Sequence, residues 1–164
     1  MNVQRYKIFI DFKNDFSFSF KFCIFAFIFL ERFIIVEILV NKGIKGYKEQ
    51  EVAYKDTAKA YESGLVEVFA TPAMIALMEN TACSSVNDFL PEGFATVGTS
   101  VSIEHLKATP LGAKVWCESV LEFQEDRKLT FSVTVYDETG IIGKGTHERF
   151  IINVKKFMEK LNKK

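Results

Sequence analysis

The sequence is short of covalent and metal staples: three cysteines (Cys23, Cys83, Cys117), two histidines and three prolines are spread over 164 residues. An odd cysteine count, with no CxxC spacing and no neighbouring histidine pair, indicates neither a disulfide framework nor a zinc site. It fits reduced thiols in a cytoplasmic protein. Net charge is also missing, with 21 basic residues against 21 acidic ones, which argues against a nucleic-acid or polyanion partner. There is no internal repeat, no low-complexity tract and no phosphate-binding glycine loop. Gly143-Lys-Gly145 carries nothing more of a nucleotide fingerprint.

The shortage of turn residues is sharpest at the N-terminus. Residues 1–40 contain 26 apolar residues (65%) and 10 of the 17 phenylalanines, but none of the glycines or prolines. Residues 41–164 are 43% apolar, the composition of a globular domain. A secretory signal does not fit the first stretch, because Asp11 and Asp15 intervene and no small-residue cleavage site follows Phe22–Leu30. A membrane span, needing about 20 apolar residues, would bury Glu31, Arg32 and Glu37. The alternation Phe16-Ser-Phe-Ser-Phe-Lys-Phe22 suits a strand. Phe, Ile, Lys and Asn are also what AT-rich codons spell, so the segment reads as translated upstream DNA, with Val40 as the true start from a GTG codon. A membrane anchor or peripheral helix, and a genuine added strand or helix, are the competing readings. The expected organisation is therefore an apolar extension, 1–40, and one domain, 41–164.

Within that domain Glu49–Lys55 reads as a short strand, and Thr57–Ser63 as a helical turn stopped by Gly64 in the left-handed conformation. The clearest helix start is Thr71 as N-cap with Pro72 at the first helical position, running to about Val86 or Asn87. Four long strands follow, Phe94–Lys107, Ala113–Gln124, Lys128–Tyr136 and Ile141–Val154, separated by turn signals and so antiparallel neighbours. A basic helix, Lys155–Lys164, closes the chain, its lysines a solvated face. The fold class is α+β, a single curved sheet wrapped around one helix.

Glu79 is the most informative residue. A helix beginning at Pro72 places it among Ile75, Ala76, Ala82, Cys83 and Val86, on the face expected to be buried. A carboxylate there is a candidate acid, base or nucleophile, against the alternative of a glutamate at the helix edge or paired to an arginine. His105 falls on the apolar side of its strand, with Val97, Thr99, Val101 and Ile103, while Thr96, Gly98 and Ser100 fall opposite. A buried Glu and a buried His form a plausible acid–base pair. Thr71 puts a hydroxyl at the helix N-terminus, where the dipole favours developing negative charge, although a plain N-cap accounts for it equally well. His147 and Arg149 share one face of the last strand and read as surface or interface residues. Cys83 has no basic neighbour to make it a nucleophile.

Taken together, Val68-Phe-Ala-Thr-Pro-Ala-Met74, Glu79, Ala95-Thr-Val-Gly-Thr99, His105, Ala108-Thr-Pro-Leu-Gly112 and Gly143-Lys-Gly-Thr-His-Glu-Arg149 resemble the hot-dog-fold acyl-CoA thioesterases typified by fluoroacetyl-CoA thioesterase, over roughly residues 45–155. The resemblance implies a hot-dog fold, a homodimer or dimer of dimers with a continuous sheet, and sites at the dimer interface. It places Thr71, Glu79 and His105 on catalytic positions and Gly98 and Arg149 on substrate-binding ones. It implies an acyl-CoA substrate and no metal or separate cofactor. Glu79 is expected to attack the thioester or activate water, His105 to assist water attack and proton transfer, and Thr71 to orient the carboxylate or the substrate carbonyl. Ala60-Tyr-Glu-Ser-Gly-Leu-Val66 departs from the family in lacking the phenylalanines of a fluoroacetyl-selective gate, so a short or medium acyl-CoA is the expected substrate. A non-catalytic acyl-CoA-binding module and a hot-dog dehydratase or hydratase are the alternatives.

Overall fold

The computed structural model describes residues 7–9 and 35–163. The chain divides into two units, Met1–Leu39 and Val40–Lys164. In the first, β1 (Lys7–Phe9) pairs antiparallel with β2 (Ile35–Glu37). The alternating Phe16–Phe22 stretch, Phe22–Leu30 and Cys23 lie outside the described residues. No helix among the described residues is long and apolar enough to cross a membrane.

The second unit is a five-stranded antiparallel sheet around one helix. Its strands are β3 (Lys45–Glu51), β4 (Phe94–His105), β5 (Lys114–Glu125), β6 (Lys128–Asp137) and β7 (Gly140–Asn153), in the order β3-β5-β6-β7-β4. The four long strands fall where the turn signals put them. Residues 57–63 do form a turn, but the left-handed residue is Glu62 (φ 55°), not Gly64. The C-terminal helix α2 spans Val154–Leu161.

Helix α1 (Thr71–Asn87) packs against all five strands. Its buried stripe is Ala73, Met74, Leu77, Met78, Thr81, Ala82 and Val86, an i, i+3, i+4 pattern. This stripe is rotated from the expected face: Ala76 is exposed and Ile75 and Cys83 only half-buried, whereas Ala73 and Thr81, which lie off that face, are buried. The two large methionines and Leu77 decide the rotation, since each fully buried aliphatic side chain contributes about 1.5–3 kcal/mol. Opposite them lie the inward residues of the alternating central strands, Val115, Cys117 and Leu121 from β5 and Leu129, Phe131, Val133 and Val135 from β6. Thr81 tolerates burial because its hydroxyl donates to the Leu77 carbonyl at 2.7 Å.

Two glycines let the helix come this close. A Cβ on Gly46 would lie 2.5 Å from Ser119 Oγ and 2.7 Å from the Thr81 carbonyl oxygen, and one on Gly143 would run into the Met74 sulfur. The strand pair β4–β7 carries a second irregularity: the register slips between Gly98 and Ser100, leaving Thr99 as an extra residue. Its hydroxyl donates to the Glu148 carbonyl at 3.3 Å. The slip reverses side-chain parity, so the single alternating face expected from Val97 to His105 does not exist. A Cβ on Gly98 would point at Glu79 and His147, and His105 further along meets Thr71 at the start of the helix.

The β6–β7 turn is held by Asp137, only 6% exposed. Burial pushes its carboxyl up, but this is outweighed by the hydroxyl and backbone N–H of Thr139, the charge of Lys107 and the hydroxyl of Thr109, so its pKa lies below the ordinary 3.8. The stabilisation is present above the unfolded-state value and is lost as pH falls through the lower folded one. Asp137→Ala should therefore cost roughly 1–3 kcal/mol in urea denaturation at neutral pH, and the gap to wild type should narrow as both are acidified below the ordinary aspartate value. For Gly46→Ala, where a backbone carbonyl cannot move aside, thermal unfolding should show a loss of roughly 1–3 kcal/mol.

Candidate active site

The segment before α1 is tied down by backbone bonds. Phe69 N–H donates to the Thr109 carbonyl at 2.8 Å, Ala58 N–H to Val68 at 2.9 Å and Ala70 N–H to Asp56 at 2.9 Å. These fix the helix start beside the end of β4. The N-cap is Ala70, without a side-chain cap, and Thr71 is the first helical residue rather than the cap. Its hydroxyl is thereby free for another partner, which is His105: Thr71 Oγ1 lies 2.9 Å from Nδ1. His105 Nε2 is 3.0 Å from the Lys107 carbonyl, which can only accept. That network assigns the proton to Nε2 and the lone pair to Nδ1, so the threonine hydroxyl donates. The couple opens on a cleft of about 450 Å³ lined by Val68, Phe69, Pro72, Leu106 and Ala108 among others.

Glu79 stands two helical turns further along, about 12 Å by helical rise. It is not in the buried stripe: its side chain is 44% exposed, which removes the desolvation expected from its sequence position. The physical reason is the helix rotation that Met74 and Met78 impose. Its carboxylate instead lies over the irregular part of β4, where a Cβ on Gly98 would come within 2.9 Å of Oε1 and 3.2 Å of His147 Cε1.

Beneath it, His147 and Arg149 are buried, contrary to the surface placement expected of them. Arg149 is 6% exposed and the His147 side chain 0%. They point inward with Gly143 and Ile151, a parity that the strand's own alternation already carries. The guanidinium donates from Nε to Thr96 Oγ1 (2.7 Å), from Nη2 to the Thr96 carbonyl (2.8 Å), and from Nη1 to His147 Nε2 (3.1 Å) and the Glu79 carbonyl (3.4 Å). His147 Nδ1 lies 2.9 Å from the Ser100 carbonyl, just past the bulge. Burial holds the His147 pKa below its ordinary value and the Arg149 charge adds to this, against opposing contributions from the Ser100 carbonyl, Glu79 and Glu148. Glu79 Oε1 is 4.0 Å from His147 Nε2.

The structure therefore brings Thr71 to His105, and Glu79 to Gly98 and Arg149, while among the described residues no hydrogen bond or ion pair joins the two groups. The Cys117 thiol is pushed up to about 11 by burial, so it stays protonated, and no cluster of three metal-ligating side chains occurs among the described residues.

A family model described as fluoroacetyl-CoA-specific thioesterase matches residues 52–155. The chain belongs to that family of thioester hydrolases. A fluoroacetyl-CoA thioesterase from Streptantibioticus cattleyicolor is 38% identical over 98 residues, covering 60% of this chain and 70% of that one. A solved structure of a fluoroacetyl-CoA thioesterase superposes with a TM-score of 0.72 at 31% identity, covering 77% of this chain and 98% of the other. A thioesterase superfamily member from Thermus thermophilus gives 0.71 at 27%, covering 76% and 93%. The architecture is thus the hot-dog fold, with α1 as its central helix.

Gly98 is the sensitive point of this geometry. In Gly98→Ala the half-exposed Glu79 carboxylate can swing away, but the buried His147 ring, 3.2 Å from the new Cβ, has to give slightly, so unfolding free energy should fall by roughly 1 kcal/mol. For a Glu79 that takes part in hydrolysis, as the family resemblance implies, thioester turnover should nevertheless fall by roughly tenfold or more. Paired thermal melts and steady-state rates measure both.

Proposed function

We propose that this hot-dog thioesterase hydrolyses a short or medium acyl-CoA to the free acid and CoA, with Thr71, Glu79 and His105 as its catalytic residues and Gly98 and Arg149 binding substrate. The observation that carries the reading is the 2.9 Å Thr71–His105 couple at the mouth of the cleft. An imidazole whose Nδ1 accepts from Thr71 is set to take up or relay a proton. The positive end of α1 favours the oxyanion that forms when a thioester carbonyl is attacked. Glu79, half-exposed and beside the Arg149 charge, is suited to act as a carboxylate, attacking the thioester or activating water. Fluoroacetyl selectivity is not carried over, since residues 60–66 supply no phenylalanine.

The working unit we propose is a homodimer, or a dimer of dimers, in the cytoplasm. β4 is an edge strand whose residues 98–102 are exposed, and Val101 is 38% exposed on it. A second copy pairing along this edge would satisfy its free backbone groups. It would also cover Glu79 and offer each site groups from both subunits, which answers the gap between Glu79 and the Thr71–His105 couple within one chain. The N-terminal 1–40 stretch remains, on this proposal, an extension apart from the thioesterase domain. Nothing in the comparisons favours a dehydratase or a non-catalytic binder.

The test is release of free CoA from a panel of acyl-CoAs, with the oligomeric state measured on the same samples. Glu79→Ala and His105→Ala should each lower kcat/KM by roughly 10²-fold or more, and Thr71→Ala by less. Equal rates in wild type and both variants would remove the assigned mechanism.

A further inference from the structure

Arg149 is a buried cation whose acceptors are all uncharged: a hydroxyl, two backbone carbonyls and an imidazole nitrogen. Among the described residues no carboxylate lies within ion-pair distance of it. Four of its five N–H groups are committed, so its orientation is set while its charge is left whole. Three of the four acceptors come from Thr96 and Glu79. The fourth, His147 Nε2, is the one side-chain nitrogen in the set, and it keeps its lone pair only because Nδ1 gives its proton to the Ser100 carbonyl.

We propose that His147 is the positioning residue for Arg149, a neutral buried imidazole that accepts from the guanidinium and so aims an unneutralised positive charge at the substrate site beside Glu79 and Gly98. This rests on the thioesterase reading above and assigns a part to a residue that reading leaves unused. A carboxylate at the same place would hold Arg149 equally well but would cancel its charge. An apolar side chain would leave a guanidinium N–H unmet and Nη1 with only the long 3.4 Å contact to the Glu79 carbonyl, while Thr96 still holds Nε and Nη2. The bulge belongs to the device, because the Ser100 carbonyl that selects the tautomer follows directly on the slipped register. The charged groups facing the ring are Arg149 and Glu148 on its own strand and Glu79 on α1; the register partner on β6 is the uncharged Phe131, and β4 presents the Ser100 carbonyl and Gly98.

The chain has only two histidines, so nitrogen-15 spectra of the ring resonances resolve His147 in the full-length protein. The expected result is the Nδ1–H tautomer, neutral to a pH below the ordinary 6.5, with the titration moving upward in Arg149→Met. An Nε2–H ring, or a titration that Arg149→Met leaves in place, overturns the proposal. In kinetics, His147→Leu should lower kcat/KM by roughly 10–100-fold, and the loss should not add to that of Arg149→Met. His147→Gln, which keeps an acceptor for Arg149, should recover most of it. Additive losses, or a glutamine variant as impaired as leucine in a protein of unchanged melting temperature, would count against positioning through Arg149. If wild type releases CoA from no member of the panel, the thioesterase reading fails, while the ring spectra still decide whether His147 holds Arg149.

Discussion

Everything in this domain depends on how closely α1 can approach the sheet. The helix touches five strands at once, and it is seated by a glycine on either flank: Gly143 of β7 receives the Met74 sulfur near the N-terminal end, and Gly46 of β3 admits the Thr81 carbonyl and Ser85 towards the other. Two such contacts, far apart on the helix and on opposite sides of the sheet, fix both its rotation and its position along the axis. With those set, Thr71 lands beside His105 and Glu79 lands above Gly98. Packing density in a protein interior leaves little latitude for either placement.

The polar half of the site follows from the same geometry. Beneath the helix the sheet presents an arginine and a histidine instead of aliphatic side chains, and the bonds of this pair run to Thr96 and Ser100 of β4, to Glu79 of α1 and between the two residues themselves on β7. The register slip at Thr99 makes this possible, because it lets Thr96, Gly98 and His105 serve one side of a strand that strict alternation would divide. A charge buried with neutral partners costs stability. The domain meets that cost with the apolar stripe of α1 and the alternating cores of β5 and β6.

Much of the fold could be read directly from residue order. Long β-rich segments between Thr-Pro-Leu-Gly, Glu-Asp-Arg and Asp-Glu-Thr-Gly turns become β4 to β7, and Thr71-Pro72 marks the start of the helix to within one residue. Those signals are local, so they survive without tertiary information. What could not be read depended on contacts between distant residues. The burial assigned to Glu79 assumed a helix face that Met74 and Met78 override. The parity assigned to β4 assumed no bulge, and a bulge is a property of two strands together. Thr71 looked like a cap because the identity of its real partner, 34 positions away, is invisible locally. His147 and Arg149 show no partner pattern in the sequence and so read as surface or interface residues, although Gly143 and Ile151 at the same parity point inward.

The Met74–Gly143 contact also says something about the life of the chain before it folds. Met74 is fully buried, so in the native protein its thioether is shielded from oxidants. On a nascent or transiently opened chain it is not. A sulfoxide oxygen added there would be polar, and the space beside a glycine already filled by sulfur has no room for it. The oxidised side chain would prevent the helix from seating, and the chain would depend on reductive repair of that one sulfur before it could close. For Met74, unlike the exposed Met158, oxidation is therefore confined to the interval before folding or during opening.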